Sequence, residues 1–405
     1  MMGGWGHLDA PPAHADWEFP AAEYRRRVAG ARARMAAAGL DCLFLTGEKN
    51  IRYLTGYHTQ IFSVSPTRPR YVLLPLAAEP VAVWPHGSLP GLRRTSWLAE
   101  CRTWPAPRPA DDGVSLLLEA LSGLVPPGGR IGAELGPELR LEMAAADFLR
   151  LRAALPDRAF VDAGPVLKPL RMVKSPEEVA RVRRAAQLGS QGFARLVEGL
   201  APGQTERDVY HRLHQILVEL GADKVPYLVP ISGPDGYDIV NSGPTDRALE
   251  AGDLVYIDLG LTWRAYFCDF NRNFAIRRTT DEFRRAYSVA FEATQAGIEA
   301  MRPGRAASDV WRAMAAVLDP GGRAENPSAR MGHGVGLDMT EPPSLAPGDE
   351  TILEEGMTLT VEPILVLPGK AGMDWRLHIH EENVVVTQAG CELLTTRAAP
   401  SLPVV

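Results

Sequence analysis

The sequence predicts an α/β amino-terminal domain followed by an α+β carboxy-terminal domain, and three observations lead there. The 405 residues are enough for two domains with separate cores. Through about residue 165, apolar strand-like runs alternate with helix-forming stretches, the pattern of a small α/β unit. Beyond it, amphipathic helical stretches flank apolar runs that read as antiparallel strands. The expected division is a tail over residues 1–20, a first domain over 21–165 and a second over 166–405.

The elements follow in order. Residues 21–39 are rich in helix formers, with Gly39 placed as a C-terminal stop. DCLFLTG reads as a strand leaving that helix, and KNIRYLTGY interleaves Asn50, Tyr53 and Tyr57 with apolar positions. RYVLLPL and EPVAVWPH are strand signals, while SLLLEALSGL and LRLEMAAADFLRLRAAL read as helices. A proline-punctuated connection then enters a long helix. Its start is marked by Ser175 and Glu178 at capping-box spacing and by Pro176 at the first helical position. ERDVYHRLHQILVELGA is a second amphipathic helix ended by Gly221, and DEFRRAYSVAFEATQAGIEAM and ASDVWRAMAAVL are a third and fourth. No fixed-period repeat is visible.

Composition excludes several classes. A hydrophobic content of 46% is that of a globular chain, and a net charge of −6 argues against a broad nucleic-acid surface. No apolar run approaches the ~18 residues that span a bilayer. The first twenty residues have neither a basic start nor a continuous apolar stretch, so they read as a loose tail rather than a signal peptide. Cys42, Cys101, Cys268 and Cys391 are far apart and form no CxxC pair, which fits buried thiols in a reducing, cytoplasmic setting.

The chemistry centres on IDLGLTWRAYFCD. Asp258 and Asp269 lie eleven residues apart, each closing a short apolar or aromatic run. As two strands with a short turn, the segment brings both acids to one end of a hairpin, facing one pocket. Any single Asp after a strand is as well explained by a turn or a helix cap. A pair held close in a poorly hydrated place needs protons or cations between its members. Downstream, His333 lies in glycine-rich RMGHGVGLD, Glu362 closes MTLTVEP before Pro363, and Glu381 precedes ENVVVT. Two Asp, one His and two Glu suit a pair of divalent metals of the Mn, Fe, Co or Zn kind rather than Ca. A lone buried Glu362 would instead be paired with an arginine such as Arg376 or Arg330.

This constellation resembles the pita-bread metallohydrolases: aminopeptidase P, prolidase, methionine aminopeptidase and the metal-free creatinase. The resemblance covers nearly the whole chain, including a creatinase-type amino-terminal segment. It implies an α/β amino-terminal domain plus an α+β pita-bread carboxy-terminal catalytic domain. Asp258, Asp269, His333, Glu362 and Glu381 match the family's five metal ligands in order. The implied cofactors are two divalent metal ions, with Mn expected first and Fe, Co or Zn as alternatives. Glu362 is implied as the general base. The implied assembly is a homodimer, and the composition leads to the expectation of no nucleic-acid or membrane partner.

Two positions depart from the family pattern. A family histidine preceding the first metal-binding Asp is replaced by Asn241, and one seven positions after the metal-binding His is replaced by Thr340. Asn and Thr donate neutral hydrogen bonds but carry no positive charge, and losing one carbonyl-stabilising donor costs roughly a hundredfold or more in rate. The expectation is therefore a metal-dependent hydrolase of a small amide, with Asn241 and Thr340 as polar substrate contacts and a substrate other than the standard Xaa-Pro peptide. The alternatives are a lyase on the same metals, resembling the dimethylsulfoniopropionate lyases of this fold, and a catalytically silent binding module. Further candidate substrate contacts are Arg247, Tyr53, Tyr57, Arg70, His378 and His380. On a strand His378 and His380 share a face with Arg376 and Glu382, opposite Glu381, and a structural or solvated role is the competing reading for both.

Overall fold

The computed structural model describes residues 5–7 and 17–405, apart from positions 63, 66, 321–329 and 371. It divides into two compact units, Met1–Leu170 and Arg171–Val405.

The first unit contains, in chain order, β1 (Trp5–His7), α1 (Ala21–Ala38), β2 (Cys42–Leu45), α2 (Glu48–Thr55), β3 (Tyr71–Pro75), β4 (Val81–Pro85), α3 (Leu89–Thr95), β5 (Glu100–Trp104), α4 (Val114–Leu124), β6 (Arg130–Ala133), α5 (Ala145–Ala154), β7 (Ala159–Asp162) and α6 (Gly164–Met172). Its seven-stranded mixed sheet runs β1-β5-β4-β3-β2-β6-β7. Gly39 ends α1 at φ 64°, where a side chain would be strained. Within the stretch expected to be a loose tail, Trp5–His7 pairs with the edge strand β5; the rest of that expectation, apart from Trp17 to Pro20, lies outside the described residues. The helix expected to start at LRLEM begins only at Ala145, because Glu142 turns its backbone N–H to Thr46 Oγ1 at 2.9 Å. Buried Glu134 explains the KNIRYLTG segment. It accepts from Thr46 N, Gly47 N and Asn50 Nδ2 at 2.7, 2.8 and 2.6 Å, supplying a carboxylate to the N-terminus of α2.

The second unit contains α7 (Pro176–Val197), α8 (Glu206–Glu219), β8 (Lys224–Gly233), β9 (Leu254–Trp263), β10 (Tyr266–Ala275), α9 (Asp281–Ala300), α10 (Ala307–Leu318), β11 (His333–Gly334), β12 (Glu341–Ser344), β13 (Thr358–Val361), β14 (Ile364–Pro368), β15 (Trp375–Ile379), β16 (Glu382–Thr387) and β17 (Gly390–Leu393). A pair of helices followed by antiparallel strands therefore occurs twice. The strands form a β10-β9-β8 sheet, a β12-β11-β13-β16-β17 sheet and a β14-β15 ribbon. The Ser175–Glu178 capping box is present, and Tyr266 Oη donates to Glu178 at 2.8 Å, tying the start of α7 to β10. Along α7, Gly189 lets Phe270 come so close that a Cβ would meet its ring at 2.7 Å. This close approach seats the helix on the back of the hairpin that carries the acids.

Candidate metal centre

The hairpin is longer than the apolar runs suggest. β9 and β10 pair over ten residues each, through a turn in which Arg264 and Ala265 adopt positive φ (47° and 70°). Asp258 and Asp269 therefore sit in mid-strand rather than at one end. Asp258 lies opposite Asn271 and Asp269 opposite Gly260, which puts both acids on one face as diagonal neighbours. Gly260 keeps that face open, because a Cβ there would meet Met339 Sδ at 2.6 Å. Polar residues lengthen β10, and several of them bond to segments beyond the hairpin. Asn273 Nδ2, for example, donates to Ile379 O at 2.6 Å.

Glu381 reaches the same face from the end of β15. One ligand atom from each of Asp258, Asp269 and Glu381 lies within 4.8 Å of the others. His333, held by β11, places Nε2 3.6 Å from Asp269 Oδ2 and 3.4 Å from Glu362 Oε1. The five residues matched by resemblance thus converge from both halves of the unit.

The electrostatics of the cluster are those of a cation site. Burial raises the Asp258 carboxyl to about 7, with Tyr256 Oη, donating at 2.8 Å, opposing the rise and Glu362 adding to it. Burial likewise raises Glu362 to about 7, against the pull of Arg330. Asp269 and Glu381 are pushed well above the carboxylate range, by burial first and then by the neighbouring acids. His333 goes the other way, and burial lowers it to about 4. Its Nδ1 is 3.0 Å from Gly334 O, an acceptor only, so the proton sits on Nδ1 and Nε2 presents a bare lone pair. A lone pair facing two carboxylate oxygens is repulsive unless a cation or a proton lies between them. Among the described residues, Glu381 Oε1 is buried without a hydrogen-bond partner, and so is Asn271 Oδ1. Four hard carboxylates and one imidazole, with lone pairs converging on one space, fit divalent transition metals.

The remaining predicted residues are distributed differently. Asn241 is exposed and lines a cavity of about 450 Å³ with Tyr210, His211 and Tyr227. Tyr227 Oη donates to Val240 O at 3.0 Å and also engages Asp258, so this cavity adjoins the acids. The loop carrying Asn241 is fixed from α8. Buried Glu206 accepts from Thr245 N and Oγ1 at 3.0 and 2.6 Å and from Ser232 N at 2.7 Å. Thr340 is exposed, next to Glu341, which is buried between Arg171 and Lys174. Arg247 does not offer a free guanidinium, because buried Asp253 holds it bidentately at 2.6 and 2.9 Å. His378 and His380 lie on the face shared with Arg376 and Glu382, but α9 covers that face. The His378 ring stands 5.8 Å from Tyr287, and Thr294 Oγ1 is 3.0 Å from His380 Nδ1. Arg376 pairs with Glu282 at 2.7 Å and so is not the partner of Glu362. In the first unit, Tyr53 Oη donates to Leu170 O at 3.0 Å, Tyr57 packs edge-on against Trp84 at 4.7 Å, and Arg70 donates to Ser88 Oγ at 3.0 Å. All three are buried.

Several groups at the site escaped the sequence reading. Tyr227 and Tyr256 show themselves only as alternate members of strands whose inward face is known from the acids. Asn383 carries no local signal. Arg330 figured only as a possible partner of Glu362, but its charge also acts on Asp269 and His333.

Residues 180–388, about half of the chain, match the family described as Metallopeptidase family M24. The chain belongs to that family. Residues 27–173 match the Creatinase/Prolidase N-terminal domain, so the family M24 unit is preceded by the accessory domain of creatinases and prolidases. The probable dipeptidase PepE of Mycobacterium tuberculosis is 33% identical over 377 residues, covering 92% of this chain and 94% of the relative. The ectoine hydrolase of Halomonas elongata is 28% identical over 397 residues, covering 93% and 96%. Among solved structures, dipeptidase PepE from Mycobacterium ulcerans superposes with a TM-score of 0.81 at 32% identity, covering 95% of this chain and 99% of that one. A prolidase from Thermococcus sibiricus reaches 0.82 at 22% identity, covering 94% and 99%, which shows the shared fold. This family M24 chain is accordingly a metallopeptidase-type hydrolase with the pita-bread architecture, and none of its described helices is long and apolar enough to cross a membrane.

Proposed function

We propose that this enzyme hydrolyses a small amide, a dipeptide or a compact cyclic or N-acylated amino-acid derivative, at a dinuclear centre held by Asp258, Asp269, His333, Glu362 and Glu381. The observation that carries the reading is the bare Nε2 of His333 facing Asp269 and Glu362 at 3.6 and 3.4 Å, inside a set of acids that burial and mutual repulsion hold towards protonation. Divalent cations, Mn first, supply the compensating charge and the Lewis acidity that an amide carbonyl and an attacking water require.

The chain's own residues do the rest. Glu362 is the general base. Its side chain is 20% exposed against 4% for His333, so it is the more open of the two to a water at the site. Its carboxylate takes a proton from the attacking water and returns it to the leaving nitrogen. Tyr256 and Asn383 keep Asp258 and Asp269 pointed inward. Asn241, on its anchored loop, offers an amide to the substrate from the cavity beside Tyr227. Thr340, exposed beside Glu341, is the second neutral donor of the reading.

The substrate class follows from what these donors lack. Neutral Asn and Thr stand where the family's cationic histidines stabilise charge on an Xaa-Pro carbonyl, which favours a more reactive or better-oriented amide. Two relatives that cover more than nine-tenths of this chain, a dipeptidase and an ectoine hydrolase by name, span that range. Incubating the Mn-loaded enzyme with dipeptides, N-acyl diamino acids and cyclic amidines, and following products by mass, tests the proposal. Products whose combined mass exceeds that of the substrate by the elements of water, or a single ring-opened product heavier by that amount, support it. Elimination without gain of water would transfer the same residues to a lyase.

A further inference from the structure

Two acids of the cluster, Asp269 and Glu381, reach it from different parts of the second unit. Asp269 is on β10, the outer strand of its sheet, and backbone pairing there runs only to β9. Glu381 immediately precedes β16, which pairs with β13 and β17. No backbone ladder joins β10 to β16 among the described residues. The seam is closed by side chains.

At Asp269 the closure is two-pointed. Asp269 N–H donates to Asn383 Oδ1 at 3.0 Å, and Asn383 Nδ2 donates to Asp269 O at 2.5 Å. The carboxamide thus does for the outer edge of β10 what the next strand's peptide group does elsewhere in a sheet, offering one donor and one acceptor side by side. Asn383 is fully buried, and its own backbone is fixed opposite Thr360 on β13 and by Leu394 N–H donating to its carbonyl at 2.8 Å. It lies two residues from Glu381. Further along the seam, Asn273 Nδ2 donates to Ile379 O at 2.6 Å, a bond that touches no acid of the cluster.

We infer that Asn383 is a positioning residue whose side-chain amide, by clamping the backbone of Asp269, sets the spacing between Asp269 and Glu381 and so the affinity of the centre for divalent metal. This rests on the dinuclear reading above. The residue type is specific. Asp lacks the donor for the Asp269 carbonyl, Leu lacks both groups, and Gln places the amide one methylene too far. Asn273 ties the same β10 edge to the end of β15, two residues before Glu381, without touching an acid, which separates positioning from general stitching.

The test is the dissociation constant for Mn on the full chain, measured by competition with a fluorescent chelator, together with the visible absorption of the Co-loaded protein, which reports ligand geometry. Asn383→Ala is expected to keep its fold, to bind Mn roughly ten- to a hundredfold more weakly, and to show an altered Co spectrum. Asn273→Ala is expected to lower the melting temperature while leaving affinity within about threefold and the spectrum unchanged. Native affinity and spectrum in Asn383→Ala would overturn the inference, as would an equal loss in Asn273→Ala. Should Asn383→Ala not fold, Asn383→Thr, which can keep one of the two bonds, carries the same expectation at about fivefold or more, and native affinity there overturns it. Absence of Mn binding by the unaltered protein would instead refute the dinuclear reading itself.

Discussion

Replacing Asp258 by Asn should stabilise the metal-free protein while abolishing its stabilisation by metal. Burial, with Glu362 adding to it, raises this carboxyl from its ordinary 3.8 to about 7. The folded state therefore resists ionisation by ~4 kcal/mol relative to the unfolded chain. A raised acid contributes stability that is complete below its unfolded value of 3.8 and is lost as pH rises through about 7. At pH 8 the whole ~4 kcal/mol is lost, and at pH 5 only about 2 kcal/mol. Asn is isosteric and its one oxygen still accepts from Tyr256 Oη, but its amide cannot accept from Leu259 N, which donates to the second carboxylate oxygen at 2.9 Å, so about 1 kcal/mol is given back. For a unit of this size, at roughly 2 °C per kcal/mol, the remaining ~3 and ~1 kcal/mol should make the chelated variant melt about 6 °C above the unaltered protein at pH 8 and about 2 °C above it at pH 5. Adding Mn at pH 8 should raise the melting temperature of the unaltered protein and leave that of Asp258→Asn nearly unchanged. Scanning fluorimetry in chelator and in Mn at the two pH values measures all four numbers. A chelated variant that melts lower at both pH values would refute the picture of mutually repelling buried acids, and equal stabilisation of both proteins by Mn would remove Asp258 from the centre.

Other outcomes follow from the same geometry. Glu362→Gln should lower turnover by roughly a thousandfold or more, with an undiminished melting temperature in chelator; undiminished activity would sink its role as base. Metal binding must displace protons from Asp258 and Glu362 below about pH 7, whereas His333, held at about 4, is already neutral. Mn affinity should then fall by about tenfold per pH unit for each displaced proton between pH 7 and 5, measurable by calorimetry, and a flat profile would contradict the raised carboxyls. Restoring the family's histidines in an Asn241→His, Thr340→His double variant should raise Xaa-Pro dipeptide hydrolysis roughly tenfold or more, read as kcat/KM. No gain would show that these positions do not contact the scissile carbonyl.

Much of this was legible in the sequence, for reasons that differ residue by residue. Gly39, Ser175 and Glu178 act within one helical turn, and all three end or begin helices as read. The five converging residues of the proposed centre were legible through motif and order, each beside a run whose strand character is local. Position within a strand was not. Asp258 and Asp269 lie in mid-strand because Asn271 and Asn273 extend β10, and their partners, Glu381 and Ile379, are more than a hundred residues away. The shared face of His378 and His380 follows from alternation, but that α9 covers it depends on packing. Arg247 reads as a surface cation until Asp253, six residues on, is seen to be buried beneath it. Asn383 had no local signal, because its role exists only once Asp269, 114 residues earlier, is folded against it.

That last contact bears on why the centre stands where it does. A continuous sheet fixes neighbouring strands at about 4.8 Å through ladders on both sides, and same-face side chains then fall into a regular grid. Between β10 and β16 no ladder sets the distance, so side-chain amides can bring Asp269 and Glu381 together at a spacing matched to a cation rather than to a peptide pleat. The consequence in the metal-free protein is a set of unpaired lone pairs, Glu381 Oε1, Asn271 Oδ1 and His333 Nε2 among them, held together against their repulsion by the two sheets. Such a site is costly to fold empty and cheap to fill, because the rigid sheets bear the strain before the ion arrives. The bond from Asn383 to Asp269 O is therefore expected to matter more for metal affinity than its single-bond contribution to stability suggests.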